Sequence, residues 1–329
     1  MFVEFLRRKV SALVLAIAAA QFTIAGSSDA VADDTAGEYP LLGLERIRVP
    51  ARDYYRPDPA FGLTRYNGSL FLHHVSAIPL ETVGVYGATA VIGVVNWDWG
   101  NSGFHFRNEG WFGRDTGSGG MDKLGHAFTG ALLSDLFTDR IRMTADRPEG
   151  AAVTGALLSL GVLTMVEVFD GFANDHGFSY EDMLSDGAGI AFSLLRNTIP
   201  GMREKIDFRQ EYVPRSYMGG FHPILGYESK RFLLALKLSG FDTFRDTPLR
   251  YLEIHAGYYA RGFTRAAREA GVPKIREPYI GIGINLNELF FGRAKPDEGV
   301  LKWGARFTLE HFQPPYTSFG TGNRYYKSY

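Results

Sequence analysis

Three apolar segments between residues 120 and 190 carry the groups most able to do chemistry. Asp122-Lys123-Leu124-Gly125-His126 opens the first, Glu167-Val168-Phe169-Asp170 closes the second, and Asp182 and Asp186 lie in the third. Asp122 and His126 are four residues apart, as are Asp182 and Asp186, and side chains at that spacing share one face of a helix. The first face continues through Gly130, Leu133 and Phe137, the second reaches Glu167 from Leu160 and Leu163, and the third continues to Gly189. Each helix therefore turns ionisable groups toward an apolar interior. A lone buried charge is costly, so such groups must be paired, protonated or metal-bound. One histidine among several carboxylates suits a divalent cation such as Zn²⁺, Mn²⁺ or Fe²⁺, and helix bundles build metal sites from facing side chains in this way. The candidate ligands are Asp122, His126, Glu167, Asp170, Asp182 and Asp186, the implied cofactor is a divalent metal ion, and His126 or Glu167 is the candidate general base. The competing reading is a hydrogen-bond network that only joins the helices. Asp122 also suits a helix N-cap after Gly119-Gly120, and Ser179-Tyr180-Glu181-Asp182 resembles a capping box.

The elements that must position these groups follow from hydrophobic period. An apolar stretch from Pro79 to Val95 predicts a helix. Three more are expected at about Asp122–Ile141, Ala151–Phe172 and Ser179–Asn197, the last stopping before Pro200. The Ala151–Val166 stretch is apolar nearly all round, which places such a helix either at the centre of a bundle or in lipid. About 20 residues just span a bilayer, although Thr154, Ser159 and Thr164 weaken that reading. The Gly- and aromatic-rich stretch from Asn96 to Gly120 should be loop or a short hairpin. Within it, His105 and Arg107 are candidate contacts for an anion, and the polar turn Asn174-Asp175-His176-Gly177 could place His176 at the mouth of the site.

After about Tyr217 the period changes to two. Residues 231–239, 250–261, 279–287 and 301–311 each alternate apolar and polar side chains, the pattern of antiparallel strands with one apolar face. Residues 217–227 would add an edge strand, limited by Pro223. Four or five strands are too few to close a membrane barrel, so a meander packed on the helices is expected. The fold class is α+β: a bundle of about four helices over 79–200, then an antiparallel β-meander over 201–329.

The N-terminus names a destination. Arg7, Arg8 and Lys9 precede an apolar run from Val10 to Ala20, and Ala30-Val31-Ala32 has the A-x-A form of a cleavage site. Residues 1–32 thus predict a secretory signal peptide, and the Pro-punctuated stretch 33–78 reads as irregular. The chain has no cysteine, which removes disulfides, thiolate metal sites and a lipid-bearing cysteine. With 35 basic and 36 acidic residues there is no basic field for nucleic acid. The 17 Tyr and 25 Phe fit twisted β-structure or an interfacial location. Export to the periplasm or outer membrane is expected. Membrane or envelope lipid is the expected partner, with a protein partner possible through the β region.

The sequence Asp122-Lys123-Leu124-Gly125-His126, then Glu167 with Asp170, then Ser179-x-x-Asp182-x-x-x-Asp186-x-x-Gly189, resembles the helical pattern of VanZ-like proteins. It is closer to a YfiM-like family of predicted periplasmic lipoproteins of unknown function, over about residues 80–200. The resemblance implies a membrane-associated helical unit and an envelope role. The missing cysteine departs from the lipoprotein label. No G-x-S-x-G, P-loop, H-E-x-x-H or dinucleotide fingerprint is present. Three functions fit. The first is a structural or assembly role in the envelope, the second a metal-dependent hydrolase acting on a lipid or cell-wall precursor, and the third an integral membrane protein with spanning helices.

Overall fold

A computed structural model describes residues 66–216, 226–292, 299–321 and 323–326. The expected signal peptide, residues 33–65 of the irregular stretch and nearly all of the suggested edge strand at 217–227 lie outside the described residues.

Five long helices come first. Helix α1 (Gly68–Ala77) is capped by Asn67, whose side chain accepts from the Leu70 amide, and α2 (Pro79–Asn96) follows after an 85° bend. The end of the stretch read as irregular is therefore helical. His74 is buried there, 2.7 Å from Thr154 Oγ1 and from the Arg147 carbonyl, and these contacts hold α1 against the bundle. Helix α3 (Met121–Thr144) starts after Gly119 and Gly120, both at positive φ. Gly120 is its N-cap, so Asp122 lies inside the first turn and is not the cap. Helix α4 (Ala151–Asp170) begins after left-handed Gly150. Helix α5 (Tyr180–Thr198) is capped by Ser179, whose hydroxyl accepts from the Asp182 amide.

Helix α4 is long and apolar enough to cross a membrane by length and composition, and 56% of its apolar window is buried in the fold. It packs between α3, α5 and α2, while Leu157, Leu160, Val168 and Phe169 face outward. Helix approach is set by small residues. A Cβ at Gly189 would lie 1.8 Å from the Ala127 carbonyl oxygen, and one at Gly130 would lie 2.7 Å from that of Asp186.

The second half is a curled six-stranded half-barrel in the order β5-β1-β2-β3-β4-β6. Its strands are β1 (Ile206–Tyr212), β2 (Lys230–Lys237), β3 (Leu252–Arg261), β4 (Ile275–Ile284), β5 (Phe312–Gln313) and β6 (Ser318–Gly320). Strands β1 to β4 form the antiparallel meander, and β5 joins β1 in parallel. The expected strand at 301–311 is instead helix α6 (Val300–His311). Its alternating Leu301, Trp303, Ala305, Phe307 and Leu309 conceal a helical stripe, because the buried residues are Trp303, Gly304, Arg306, Phe307, Glu310 and His311.

The sheet is apolar on its outer face and polar on its inner one. Phe208, Phe232, Leu234, Ile254, Ile280 and Ile282 share the outer face by register. Phe128 of α3 covers one end of it, with edge contacts to Phe208 and Phe312 and a tilted contact to Phe232. Ile254, Ile280 and Ile282 stay exposed. Inside lie Asp207, Arg209, Glu211, Arg231, Lys237, Glu253 and His255, all buried. The expected meander with its whole apolar face packed on helices is thus realised only at the β1–β2 end.

Candidate metal centre

His126 stands between two groups of carboxylates drawn from three helices. Its Nδ1 lies 3.0 Å from Asp186 Oδ1 and 3.7 Å from Glu167 Oε1. Its Nε2 lies 3.6 Å from Asp182 Oδ1 and 3.9 Å from Asp122 Oδ1. The ligand atoms of His126, Glu167 and Asp186 fall within 4.8 Å of one another, and so do those of Asp122, His126 and Asp182. Helix α3 supplies Asp122 and His126 one turn apart, α5 supplies Asp182 and Asp186 in the same way, and α4 supplies Glu167 near its C-terminus. The close approach of Gly189 to α3 lets the two aspartates of α5 reach the histidine.

The two lobes differ in charge. Lys123 enters the lobe at Nε2, donating to Asp182 at 2.6 Å, Asp122 at 2.7 Å and Glu109 at 2.9 Å. Residue spacing alone marks neither Lys123 nor Glu109. Burial opposes the ammonium, but the charges of Asp122 and Asp182 outweigh it and hold Lys123 well above the ordinary lysine value. Asp122 is likewise held far below the ordinary carboxyl value by His126 and Lys123, against its burial. Glu109, half-buried beside Asp122, is pushed up to about 7. Tyr227 and Lys230 flank the lobe. Burial and the nearby Asp122 raise the Tyr227 phenol, while burial brings Lys230 down to about 8.

The lobe at Nδ1 has no lysine or arginine ion-paired to it among the described residues. Burial, together with Asp182, Asp186 and Asp170, raises Glu167 to about 9 against the pull of His126, so the group holds a proton at neutral pH. Burial would lower His126, but the hydrogen bond it donates to Asp186 and the surrounding carboxylates raise it to about 10. Asp186 is fully buried, and its Oδ2 has no hydrogen-bond partner among the described residues. Glu167 Oε2 accepts from the Ser179 amide at 3.3 Å, the reciprocal half of the expected capping box, while Asp182 turns its carboxylate to Lys123. His126 and Asp122 each keep 16% side-chain exposure, so the centre is open on that side and closed behind Glu167 and Asp186.

Asp170 does not join the candidate ligands. Its Oδ1 accepts from Trp99 Nε1 at 2.5 Å, and it belongs to neither ligand group. His105 and Arg107 make contacts within the chain. His105 donates from Nε2 to the His176 carbonyl at 2.9 Å, and Arg107 bonds the Asp175 carbonyl, so both tie the aromatic loop to the turn before α5. His176 contributes its backbone to that tie.

Residues 108–198 match a family described as "Predicted periplasmic lipoprotein (DUF2279)". The match contains every residue of the centre from Glu109 to Asp186 and none of the sheet. The protein is thereby consistent with an exported envelope protein of the periplasm or outer membrane. The lipid attachment in that description has no cysteine to carry it in this sequence. No curated protein and no solved structure is detectably similar to the chain.

Proposed function

We propose that this is an envelope protein whose His126–Glu167–Asp186 lobe binds a divalent cation and uses it hydrolytically on a lipid or cell-wall precursor. The reading takes residues 1–32 as an export signal and the likeness to YfiM-like and VanZ-like chains as one of kind. A single observation carries it. Asp186 Oδ2 is buried without a partner among the described residues, beside a histidine nitrogen and a second carboxylate. Oxygen and imidazole donors of this kind suit Zn²⁺, Mn²⁺ or Fe²⁺, and a cation there would satisfy the orphan oxygen and let Glu167 ionise. A bound cation supplies an activated water at neutral pH. Asp122 and the exposed edge of His126 face the side from which a substrate would come.

A second reading is favoured by Lys123, which already neutralises Asp122, Asp182 and Glu109. On that reading the whole cluster is a lock between helices and the protein is structural. Metal analysis of the purified mature protein separates the two. The metal reading expects about one equivalent of divalent cation per chain, as one such site would hold. That cation should be lost in Asp186→Asn and His126→Ala, with the circular dichroism of both unchanged. A metal-free wild type that binds no added Mn²⁺ or Zn²⁺ would sink it and leave the lock.

A further inference from the structure

A second site lies away from the His126 centre, where the aromatic loop meets the start of β4. Arg114, Phe263, Lys274, Ile275, Arg276 and Glu277 line a cavity of about 220 Å³, several times the roughly 30 Å³ share of one water. Lys274 donates to the Arg114 carbonyl at 3.0 Å and Arg276 donates to the Phe112 carbonyl. These bonds staple the loop to the strand and bring three cationic side chains to one rim. The one carboxylate in the lining, Glu277, accepts the Tyr259 hydroxyl at 2.5 Å. The rim therefore carries an excess of positive charge in a chain whose net charge is −1.

What adjoins the rim decides the kind of anion. Arg276, Pro278, Ile280 and Ile282 stand at alternate positions on the outer face of β4, and Phe319 of β6 pairs with Ile282. Ile280, Ile282 and Phe319 are 65%, 55% and 69% exposed. From Arg276 to Ile282 the strip runs roughly 20 Å at the rise of a strand, a little more than one leaflet of a hydrocarbon core about 30 Å thick. A sheet with its ion pairs inside and isoleucines outside has the polarity of sheets that face lipid. Free phosphate would leave the strip uncovered, whereas an amphiphile covers both parts.

We infer that Arg114, Lys274 and Arg276 bind the phosphate of an anionic membrane lipid whose acyl chains lie along Ile280, Ile282 and Phe319. Flotation of the full mature protein with phosphatidylcholine vesicles, with and without phosphatidylglycerol, reads the preference between the two lipids. The expected preference for phosphatidylglycerol is on the order of 10-fold to 100-fold, from three basic groups at an anionic surface. It should fall to near unity in Arg114→Gln/Lys274→Gln/Arg276→Gln, with Arg114→Gln alone giving a partial loss, and Ile280→Asp should weaken capture by the anionic vesicles. Equal capture by the two vesicle types would overturn the inference. So would a preference that survives the triple substitution, or inorganic phosphate competing the vesicles away completely at constant ionic strength.

Discussion

Two polar clusters lie at different levels of the α3–α5 interface, one at the first turns of α3 and one past its middle, and they are built to different rules. The His126 cluster sets five carboxylates (Glu109, Asp122, Glu167, Asp182 and Asp186) against Lys123 and one histidine. The second cluster, which joins α3, α5, α6 and β1, also has five carboxylates: Asp135, Asp139, Asp207, Glu253 and Glu310. It meets them with Arg196, Arg203, Arg209, Lys237, His255 and His311. Arg196 alone reaches Asp135, Asp207 and Glu310. Where basic and acidic groups balance, a buried network holds elements together. Where acids exceed bases and one oxygen is orphaned, the fold retains capacity for a cation. The difference in balance, more than the number of acids, separates scaffold from candidate site.

Three perturbations test that contrast. The largest effect is expected from Arg196→Met, which takes one cationic partner from three buried carboxylates at once. Breaking a buried pair costs about 3–5 kcal/mol, so this variant should unfold well below the wild-type denaturant midpoint. Loss of one carboxylate from the His126 lobe, as in Asp186→Asn, should leave that midpoint nearly unchanged in chelator. Similar losses in both would erase the distinction.

Acid is next. Arg196 and His311 hold the Asp135 carboxyl far below its usual range despite burial, and Lys237, Arg209 and Arg196 do the same for Asp207. Their folded values are depressed, so the stability they confer is present above the unfolded carboxyl value of about 4 and is lost as pH falls below it. In that window the unfolded chain binds more protons than the folded one. Two such groups give a slope of up to about 2.7 kcal/mol per pH unit. Denaturant midpoints that stay flat between about pH 4 and pH 2.5 would show that the balanced cluster does not carry the fold.

A smaller effect than that of Arg196→Met is expected from Gly189→Ala. The added methyl meets the Ala127 carbonyl, and such overpacking costs about 1–3 kcal/mol. Its sharper readout is at the centre, because parting α3 from α5 moves Asp182 and Asp186 away from His126. Cation binding should weaken by more than the stability loss implies, and calorimetric titration with Mn²⁺ measures it.

Much of this was legible from spacing. His126, Asp122, Asp182 and Asp186 announce themselves by four-residue steps on apolar helices, and Glu167 by ending an apolar stripe. Lys123 was missed because it sits one residue past Asp122, where helix geometry suggests a different face, yet a long side chain reaches back across it. Glu109 lies in a loop with no period to mark it. Strand β1 lies before the segments whose alternation marks the sheet, although Ile206, Phe208 and Tyr212 alternate with Asp207, Arg209 and Glu211, all three of which are buried. Helix α6 was read as a strand because its apolar residues fall at every second position, and only the burial of Glu310 and His311 reveals the longer period. Single-sequence pattern assumes that charge faces water, and the inner face of this sheet inverts that assumption.

The reach of α6 bears on how the chain matures. His311 lies 3.0 Å from Asp135 across 176 residues of sequence, and Glu310 meets Arg196 across 114. Contacts so distant close slowly, since a long loop must be ordered before it is rewarded. A polypeptide that emerges from a translocation pore N-terminus first would deliver α3 and α5 early, with Asp135 still lacking its histidine and Arg196 lacking one of its acids. Residues 300–311 thus close the cluster late, and until they arrive Asp135 leans on Arg196 alone for charge while Arg196 and Arg203 wait for Glu310.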